Sequence, residues 1–325
     1  MKKSDRTPIR SRDLTFIPFD SHDEWLTIRR NYIGGSDAGA VVGMNEWSSP
    51  LSVWADKTGS APAFGGNVST RVGAYLEDLV AKLFMEETGK TVQRLKFTVV
   101  NPAYPFACAN IDREVVGEDA LLEIKTTGSI GVIQKFRNGE FPDQWYAQVT
   151  HYMAVTGVKK AYLAALESNR ELHIFELERD EDEIKALMEA ERYFWDNYVK
   201  TCTSPPADGH RATTETVGKM YPDDGGDDVD LTDIAEDFAQ RKRLKESRNA
   251  IDTQIDEIDN RIKLRMGEAS KGTAGLFSAS WKVQTRSSFD AEALKADYPE
   301  IDLSKYTRST QSRVFRVTEQ KPKKS

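Results

Sequence analysis

Two carboxylates and one lysine are spaced along a predicted β-hairpin so that all three could share one face of a sheet. Gly117-Glu118 suits a two-residue turn, because glycine is free to adopt φ > 0 at the first position. Pairing about that centre sets Asp112 opposite Glu123, with Cβ atoms roughly 5 Å apart. Lys125 follows Glu123 by two residues, so the strand period of two places it on the same face.

These three side chains could perform phosphodiester hydrolysis. Two carboxylates at this separation can hold Mg²⁺ or Mn²⁺, which prefer carboxylate, carbonyl and water oxygens. A lysine beside them, here Lys125, could orient or deprotonate a metal-bound water for attack on phosphorus. The alternative is a solvated strand face with an exposed ion pair that contributes little. The spacing alone leaves both interpretations open.

A second candidate site is the Gly-Gly-Ser-Asp turn at 34–37, which precedes a predicted helix. Ser36 or Asp37 is a natural N-cap, and the exposed backbone N–H groups of such a turn can bind an anion. Arg29, one short helix earlier, could add a bidentate phosphate contact. An ordinary capped helix with a glycine turn explains the same residues, and it is the favoured interpretation of this turn taken alone.

The order of predicted elements indicates an α/β fold with a mixed sheet. Glu77 lies at the edge of the apolar stripe of the first long helix, and Gln148 flanks the stripe of the second. Each could face the sheet or only solvent. The predicted elements are helix 71–89, strands 91–100, 106–116 and 120–127, helix 142–157, strands 160–166 and 172–177, and helix 180–200.

Composition shifts divide the chain into five expected segments. The long helical pattern carries isoleucines at 251, 255, 258 and 262, which suit a coiled-coil or hairpin seam, with packing on its own domain as the simpler interpretation. Basic and aromatic residues of the last segment, with strand-like runs at 276–284 and 312–317, suit either a nucleic-acid surface or a domain edge. The segments are a flexible N-terminus at 1–20, the α/β core at 21–200, a linker at 201–230, a helical arm at 231–267 and a C-terminal β extension with a basic tail at 268–325.

Composition restricts the class of protein. The 325 residues are 39% hydrophobic and 30% charged, which is ordinary for a globular protein with a sizeable core. Two distant cysteines and four scattered histidines argue against a disulfide framework or a zinc module. No apolar run is long enough to span a bilayer, and the N-terminus lacks a signal-peptide pattern, so we expect an unexported, cytoplasmic protein. The net charge of −7 does not exclude nucleic acid, since local patches set the field that a ligand meets.

Four signals occur together in one order: W-x-x-x-R-x-x-x-I-G-G-S-D at 25–37, a helix with Glu77, the Asp112…Glu123-x-Lys125 hairpin, and a helix with Gln148. This set resembles the YqaJ-type viral recombinases and phage-type nucleases, relatives of phage lambda exonuclease in the PD-(D/E)XK nuclease superfamily. The resemblance covers roughly residues 20–200 by motif, and S-W-K-V-Q-T-R-x-S-F-D at 280–290 is similar to the tail of the phage-type members. It implies a restriction-endonuclease-like core flanked by helices.

The resemblance also implies roles for individual residues. Asp112 and Glu123 match the metal-binding carboxylates, with the Ile124 carbonyl as a third ligand, and Glu77 matches a helix glutamate that touches the metals. Lys125 matches the lysine that positions the attacking water.

Three further positions match the family. Gln148 corresponds to the glutamine of the helix after the hairpin, and Arg29 and Ser36 correspond to the pair that holds the DNA 5′-phosphate. The double glycine of I-G-G-S-D departs from the exonuclease pattern, as does the helical arm.

These matches favour the metal-site interpretation of the hairpin. We expect a Mg²⁺-dependent deoxyribonuclease, with Mn²⁺ as an alternative metal, that acts on double-stranded DNA as a 5′–3′ exonuclease in phage-type recombination. The family precedent implies a homo-oligomer, a trimeric ring around DNA, and a single-strand annealing protein is a candidate partner; no membrane is expected. An internally cutting endonuclease, a non-cutting DNA-binding adaptor and a scaffold built on the helical arm are the competing functions.

Overall fold

A computed structural model of the chain describes residues 9–62 and 65–319. These residues divide into two compact units, with the boundary between Tyr221 and Pro222. Within the described ranges, no helix has the length and apolar character needed to cross a membrane. The outermost parts of the predicted N-terminus and basic tail, residues 1–8 and 320–325, lie outside the described residues.

Eight α-helices belong to the first unit as described. Most begin at a capping residue: Ser21, Ser49 and Asn67 each accept a hydrogen bond from a backbone N–H of the first turn. The helices are α1 (His22–Arg30), α2 (Gly35–Val41), α3 (Pro50–Thr58), α4 (Val68–Thr88), α5 (Ile130–Arg137), α6 (Asp143–Thr156), α7 (Glu181–Phe194) and α8 (Arg211–Met220).

A mixed five-stranded sheet contains the predicted hairpin and has the order β3-β6-β7-β8-β9. Its one parallel pair joins β7 to β8, and α5 and α6 form the crossover between them. The strands are β3 (Val92–Gln93), β6 (Arg113–Val115), β7 (Ala120–Thr127), β8 (Lys160–Glu167) and β9 (Glu171–Glu178). The predicted α/β fold with a mixed sheet is therefore confirmed.

A second sheet of four strands was not predicted. Its order is β1-β4-β5-β2, and it consists of β1 (Thr15–Pro18), β2 (Ile33–Gly34), β4 (Phe97–Val100) and β5 (Ala107–Ala109). The predicted strands 91–100 and 106–116 are each wrong as single strands, because each one breaks and continues in the other sheet. Strand periodicity cannot show such a change of sheet, since both halves keep the same alternation of side chains.

Helix α6 and helix α4 cover opposite faces of β7. Every residue of α6 from Ala147 to Thr156 is buried, and the apolar ones among them belong to the larger of two apolar clusters. Val80 and Phe84 of α4 pack in the other cluster with Leu122 and Ile124 of β7. Leu121, which belongs to the larger cluster, therefore points towards α6. Glu123 and Lys125 alternate with Leu122 and Ile124 and lie on the same face as Leu121, as the hairpin prediction requires.

Two predicted segment boundaries differ from the structure. Residues 15–18, assigned to a flexible N-terminus, form strand β1, which pairs with β4 from Thr15↔Val100 to Pro18↔Phe97. Residues 211–220, assigned to the linker, form helix α8, whose Thr213 donates a hydrogen bond to Ser49 at 2.8 Å. Both segments have little sequence periodicity, and long-range packing decides their structure.

The second unit contains the predicted helical arm, α9 (Ala235–Met266), and a β-hairpin of β10 (Lys271–Ala274) and β11 (Phe277–Ser280). Helix α10 (Ala291–Asp297) follows, but residues 312–317, predicted as a strand, are not in one. The four seam isoleucines of α9 are between 44% and 55% exposed. Within the described residues of the second unit the isoleucine seam is thus not covered, and its packing on another surface stays a prediction.

Candidate active site

The hairpin forms in the predicted register. Arg113 pairs with Leu122 and Glu114 with Leu121, so continuing the ladder by one residue sets Asp112 opposite Glu123. Gly117 adopts φ of +83° in the turn, a conformation that L side chains rarely adopt. The turn glycine and the strand period together place the two carboxylates on one face.

Asp112 and Glu123 bind different protein donors. The backbone N–H of Ile124 donates to Asp112 Oδ2 at 2.7 Å, which fixes that carboxylate against β7. Glu123 is 2% exposed, and its Oε1 accepts from Lys125 Nζ at 2.6 Å and from Gln148 Nε2 at 2.7 Å. Glu123 Oε2 is buried and has no hydrogen-bond partner among the described residues. A buried carboxylate oxygen without a partner is costly, so this atom is available to a ligand.

The electrostatics of the two carboxyl groups are those of a site that favours a cation. Removal from water raises the pKa of Asp112 well above its ordinary value, and the neighbouring charges of Glu123 and Glu77 raise it further. Burial also raises the pKa of Glu123, although Lys125 opposes the shift. Both shifts are the consequence of placing acidic groups side by side away from solvent.

Lys125 lies between Glu123 and Gln148. Its Nζ donates to Glu123 Oε1 and, at 2.8 Å, to Gln148 Oε1, which uses two of its three donors. Gln148 comes from α6 and donates in turn to the Tyr152 hydroxyl at 3.1 Å. Tyr152 was not singled out from the sequence, although its spacing of four from Gln148 places both on one helix face.

Glu77 stands beside this cluster with its own partners. Arg94 donates to Glu77 Oε1 at 2.7 Å, and the buried Arg113 contacts the same oxygen and donates to the Asp112 carbonyl at 2.6 Å. Glu77 is therefore near the carboxylates but is held by two arginines. Neither arginine was identified from the sequence, since no local spacing relates them to Glu77.

Arg29 and Ser36, the predicted phosphate pair, are in direct contact. Arg29 Nη2 also donates to Asp37 Oδ1 at 3.0 Å, and the Trp25 ring lies 5.4 Å from the guanidinium. The N-cap of α2 is Gly34, and Asp37 at the third helical position accepts from the Gly34 N–H at 2.9 Å. The prediction of Ser36 or Asp37 as the N-cap is thus wrong by two or three residues.

Tyr152 links the phosphate pair to the carboxylate cluster. Its hydroxyl accepts from Gln148, while its ring lies so close to Gly35 that a Cβ there would be 2.4 Å from a ring carbon. Only glycine fits at position 35 in this arrangement. The second glycine of the I-G-G-S-D sequence therefore permits helix α2 and the helix that carries Gln148 to approach each other.

The residues present fit a divalent metal. Asp112, Glu123 and the Ile124 carbonyl offer the hard oxygen ligands that Mg²⁺ and Mn²⁺ prefer, and Glu123 Oε2 needs a partner. A group with two adjacent carboxylates, a lysine and a glutamine can bind a cation and orient a water molecule beside a phosphate.

The family match covers the part of the chain that carries these site residues. Residues 24–159 match the YqaJ-like viral recombinase domain. The chain is 36% identical over 304 residues to the uncharacterized protein YqaJ of Bacillus subtilis (strain 168), covering 92% of this chain and 95% of that protein.

Two solved structures show weaker likeness. The alkaline exonuclease LHK-Exo from Laribacter hongkongensis is 19% identical with a TM-score of 0.47, covering 55% of this chain and 95% of its own. A phage related exonuclease from Haemophilus somnus 129PT is 16% identical with a TM-score of 0.40, covering 55% and 99%. The matched domain contains both the Arg29–Ser36 pair and the carboxylate hairpin, and the identity extends over nearly the whole chain: the protein belongs to the YqaJ-like viral recombinase family.

Proposed function

We propose that the protein is a metal-dependent deoxyribonuclease of the PD-(D/E)XK type that hydrolyses phosphodiester bonds in double-stranded DNA, acting as a 5′–3′ exonuclease in recombination. The observation that carries this proposal is the cluster around Glu123: one oxygen bound by Lys125 and Gln148, the other buried without a partner beside Asp112. A solvated strand face, the alternative left open by the spacing, does not bury a carboxylate in this way.

Asp112, Glu123 and the Ile124 carbonyl would hold the metal, with Glu77 near enough to Asp112 to raise the pKa of that carboxyl. Bound Mg²⁺ or Mn²⁺ supplies Lewis-acid stabilisation of the phosphate and lowers the pKa of a coordinated water. Lys125 keeps one N–H donor beyond the two it gives to Glu123 and Gln148, and this donor can orient the attacking water. Gln148 fixes Lys125 through Oε1 and Glu123 through Nε2, so the lysine is preorganised.

The proposed 5′–3′ polarity rests on the second anion site. Arg29 and Ser36 would hold the terminal 5′-phosphate, and Tyr152 connects them to Gln148 through its contact with Gly35. Arginine provides planar, bidentate recognition of a phosphate. A terminal phosphate fixed there would place an adjacent phosphodiester near the carboxylates.

The test uses linear and covalently closed circular duplex DNA, with Mg²⁺ or EDTA, and compares wild type with Lys125→Ala. Loss of linear DNA only, abolished by EDTA and lowered about 10²- to 10⁴-fold by Lys125→Ala, is the expected result. Lys185→Ala, which removes an exposed lysine of α7, is the matched control and should cut normally. Release of nucleotides from 5′-labelled rather than 3′-labelled ends would support the polarity.

Other outcomes separate the alternatives. Cutting of closed circles identifies an endonuclease, and DNA binding without metal-dependent cutting identifies an adaptor. Calorimetric titration with Mn²⁺ adds a readout that does not depend on activity: Glu123→Gln should weaken binding, whereas equal affinity in both proteins contradicts the assigned ligands. A trimeric assembly and an annealing partner, both implied by the family, are tested by sedimentation and by co-purification with a single-strand annealing protein.

A further inference from the structure

A buried lysine lies directly behind the proposed phosphate pair. Lys57, in the last turn of α3, has a side chain that is 0% exposed, and its Nζ donates to Asp37 Oδ2 at 2.7 Å. It also donates to the main-chain carbonyl of Arg29 at 3.2 Å. A fully buried lysine is rare unless it is paired, and these two contacts account for its burial.

Asp37 stands between two cations and uses a different oxygen for each. Oδ1 accepts from Arg29 Nη2 at 3.0 Å, whereas Oδ2 accepts from Lys57 Nζ and from the Gly34 N–H. Burial alone would raise the pKa of the Asp37 carboxyl, but Lys57 and then Arg29 lower it well below its ordinary value. The carboxylate is therefore ionised at neutral pH and is shared by the two positive charges.

The sharing decides how much charge Arg29 can offer to DNA. If Asp37 had only Arg29 as a partner, the two would form a neutral pair and would attract a phosphate weakly. Lys57 lies nearer to Asp37 and is less exposed, so it compensates more of that carboxylate's charge than Arg29 does. Asp56 lies 3.8 Å from Lys57, but its side chain is 42% exposed, and solvent screens it.

The hydrogen bonds of Arg29 leave part of its guanidinium group available to a ligand. Its contacts with Ser36 and Asp37 both come from Nη2. Guanidinium has five N–H donors, so the group retains donors for a ligand while Nη2 holds it in place. The Trp25 ring, 5.4 Å from the guanidinium, supports the same orientation.

We propose that Lys57 is a positioning residue that sets the preference for 5′-phosphorylated DNA ends: it neutralises Asp37 and thereby leaves the charge of Arg29 available to the terminal phosphate. This inference rests on the proposed 5′-phosphate site. A terminal phosphomonoester carries about −1.5 to −2 charges at neutral pH, so one unit charge in the pocket changes its affinity strongly. A 5′-hydroxyl end lacks that dianion and is affected much less.

The experiment measures the affinity of a duplex with 5′-phosphate ends and of the same duplex with 5′-hydroxyl ends. Fluorescence anisotropy in EDTA prevents cutting and reports binding alone. The quantity compared is the ratio of the two dissociation constants for wild type, Lys57→Met, the double variant Lys57→Met/Asp37→Asn and the control Lys185→Met. Circular dichroism and thermal melting establish that each variant is folded.

The wild type should prefer the phosphorylated end, and Lys57→Met should lower the ratio about 10- to 100-fold, the effect of one unit charge at an effective dielectric constant near 20. The double variant removes one charge of each sign and should recover most of the ratio. Lys185→Met should not change it. A purely structural role for Lys57 predicts no recovery, because the double variant still lacks the Lys57 ammonium and also loses the Asp37 charge that holds Arg29.

Three results would overturn the inference: a folded Lys57→Met with the wild-type ratio, a folded double variant no better than Lys57→Met, or a wild type without preference. If Lys57→Met does not fold, the double variant decides, since it should fold and retain the preference. If the four proteins show the expected ratios but no metal-dependent cutting is seen, only the proposed nuclease activity is contradicted. Normal cutting with a wild-type preference that Lys57→Met leaves unchanged would contradict only the role of Lys57, whereas a wild type without preference would also contradict the proposed 5′-phosphate site.

Discussion

Lys125 and Gln148 meet at a single oxygen: both donate to Glu123 Oε1, at 2.6 and 2.7 Å, and they are joined to each other by a hydrogen bond of 2.8 Å. The three side chains form a closed triangle that joins β7 to α6. Because each member holds the other two, removal of one should release the rest.

Gln148→Ala should lower kcat about 10- to 100-fold, the usual effect of losing a group that orients a catalytic residue. The Lys125→Ala/Gln148→Ala double variant should be little worse than Lys125→Ala, since the two residues act as a unit. Steady-state kinetics on linear duplex DNA measures both. Gln144→Ala, one turn earlier on α6, is the control. If the fold-losses in kcat of the two single variants multiply in the double variant, Lys125 and Gln148 do not act as a unit.

Gly35→Ala should damage activity more than its small size suggests. The added Cβ would lie 2.4 Å from the Tyr152 ring, so the ring must move and Gln148 with it. We expect a loss of about 1–3 kcal/mol of stability and a lower kcat. Gly73→Ala is the matched control: its Cβ would be 3.6 Å from Thr126 Oγ1, and the helix should gain about 0.5–1 kcal/mol. Thermal melts and kinetics that do not distinguish the two variants would contradict the close contact.

Asp112→Asn should stabilise the metal-free protein at alkaline pH. The folded pKa of Asp112 is raised, so the folded state binds protons more tightly than the unfolded state and loses stability as pH rises from about 4 through that raised value. The amide removes this loss and can still accept from the Ile124 N–H. Melting temperatures are measured in EDTA between pH 4 and pH 9. The melting temperature of Asp112→Asn should exceed that of the wild type by an amount that grows as pH rises.

Added Mg²⁺ should make the wild type more stable than Asp112→Asn. Only the wild type retains both carboxylate ligands, and metal binding stabilises the folded state. Asp13→Asn, an exposed carboxylate, serves as the control and should follow the wild type throughout. An Asp112→Asn protein less stable than wild type in EDTA at pH 8 would show that the ionised Asp112 carboxylate does not destabilise the metal-free fold.

The buried pair of His151 and Glu191 should contribute its own pH dependence to stability. His151 Nδ1 lies 2.8 Å from Glu191, and Nε2 lies 2.9 Å from the Cys108 carbonyl, so the imidazolium can donate from both nitrogens. Burial lowers the pKa of His151, but Glu191 and the Cys108 carbonyl raise it above its ordinary value overall. This stabilisation is present below about pH 6.5 and is lost as pH rises through the raised pKa.

Removal of one partner should cost more than removal of both. His151→Leu leaves Glu191 buried without its partner and should cost about 3–5 kcal/mol, whereas His151→Leu/Glu191→Met should cost clearly less. Urea unfolding at pH 6 and at pH 9 measures the four proteins of this cycle. The wild-type advantage over the double variant should shrink at the higher pH, and a constant advantage would indicate a neutral histidine.

The prediction from sequence was most accurate where chemistry depends on neighbours in the chain. A glycine at the turn and a period of two fixed which face Asp112, Glu123 and Lys125 share, and the structure has that register. Arg29 and Ser36, which the family resemblance implied as a phosphate-binding pair, lie in direct contact, and their binding of a phosphate stays a prediction. The resemblance of the motif set to the YqaJ-type viral recombinases is confirmed by the comparisons.

The sequence by itself thus determined the register of the hairpin and the face that carries its carboxylates, because strand pairing about a turn is a local property. Tertiary packing alone decided which residues surround them: Arg113 reaches Glu77 from 36 positions away, Lys57 reaches the Arg29 carbonyl across 28, and Tyr152 closes on Gly35. Such contacts depend on how helices and two sheets pack in three dimensions, and no periodicity along the chain encodes that arrangement.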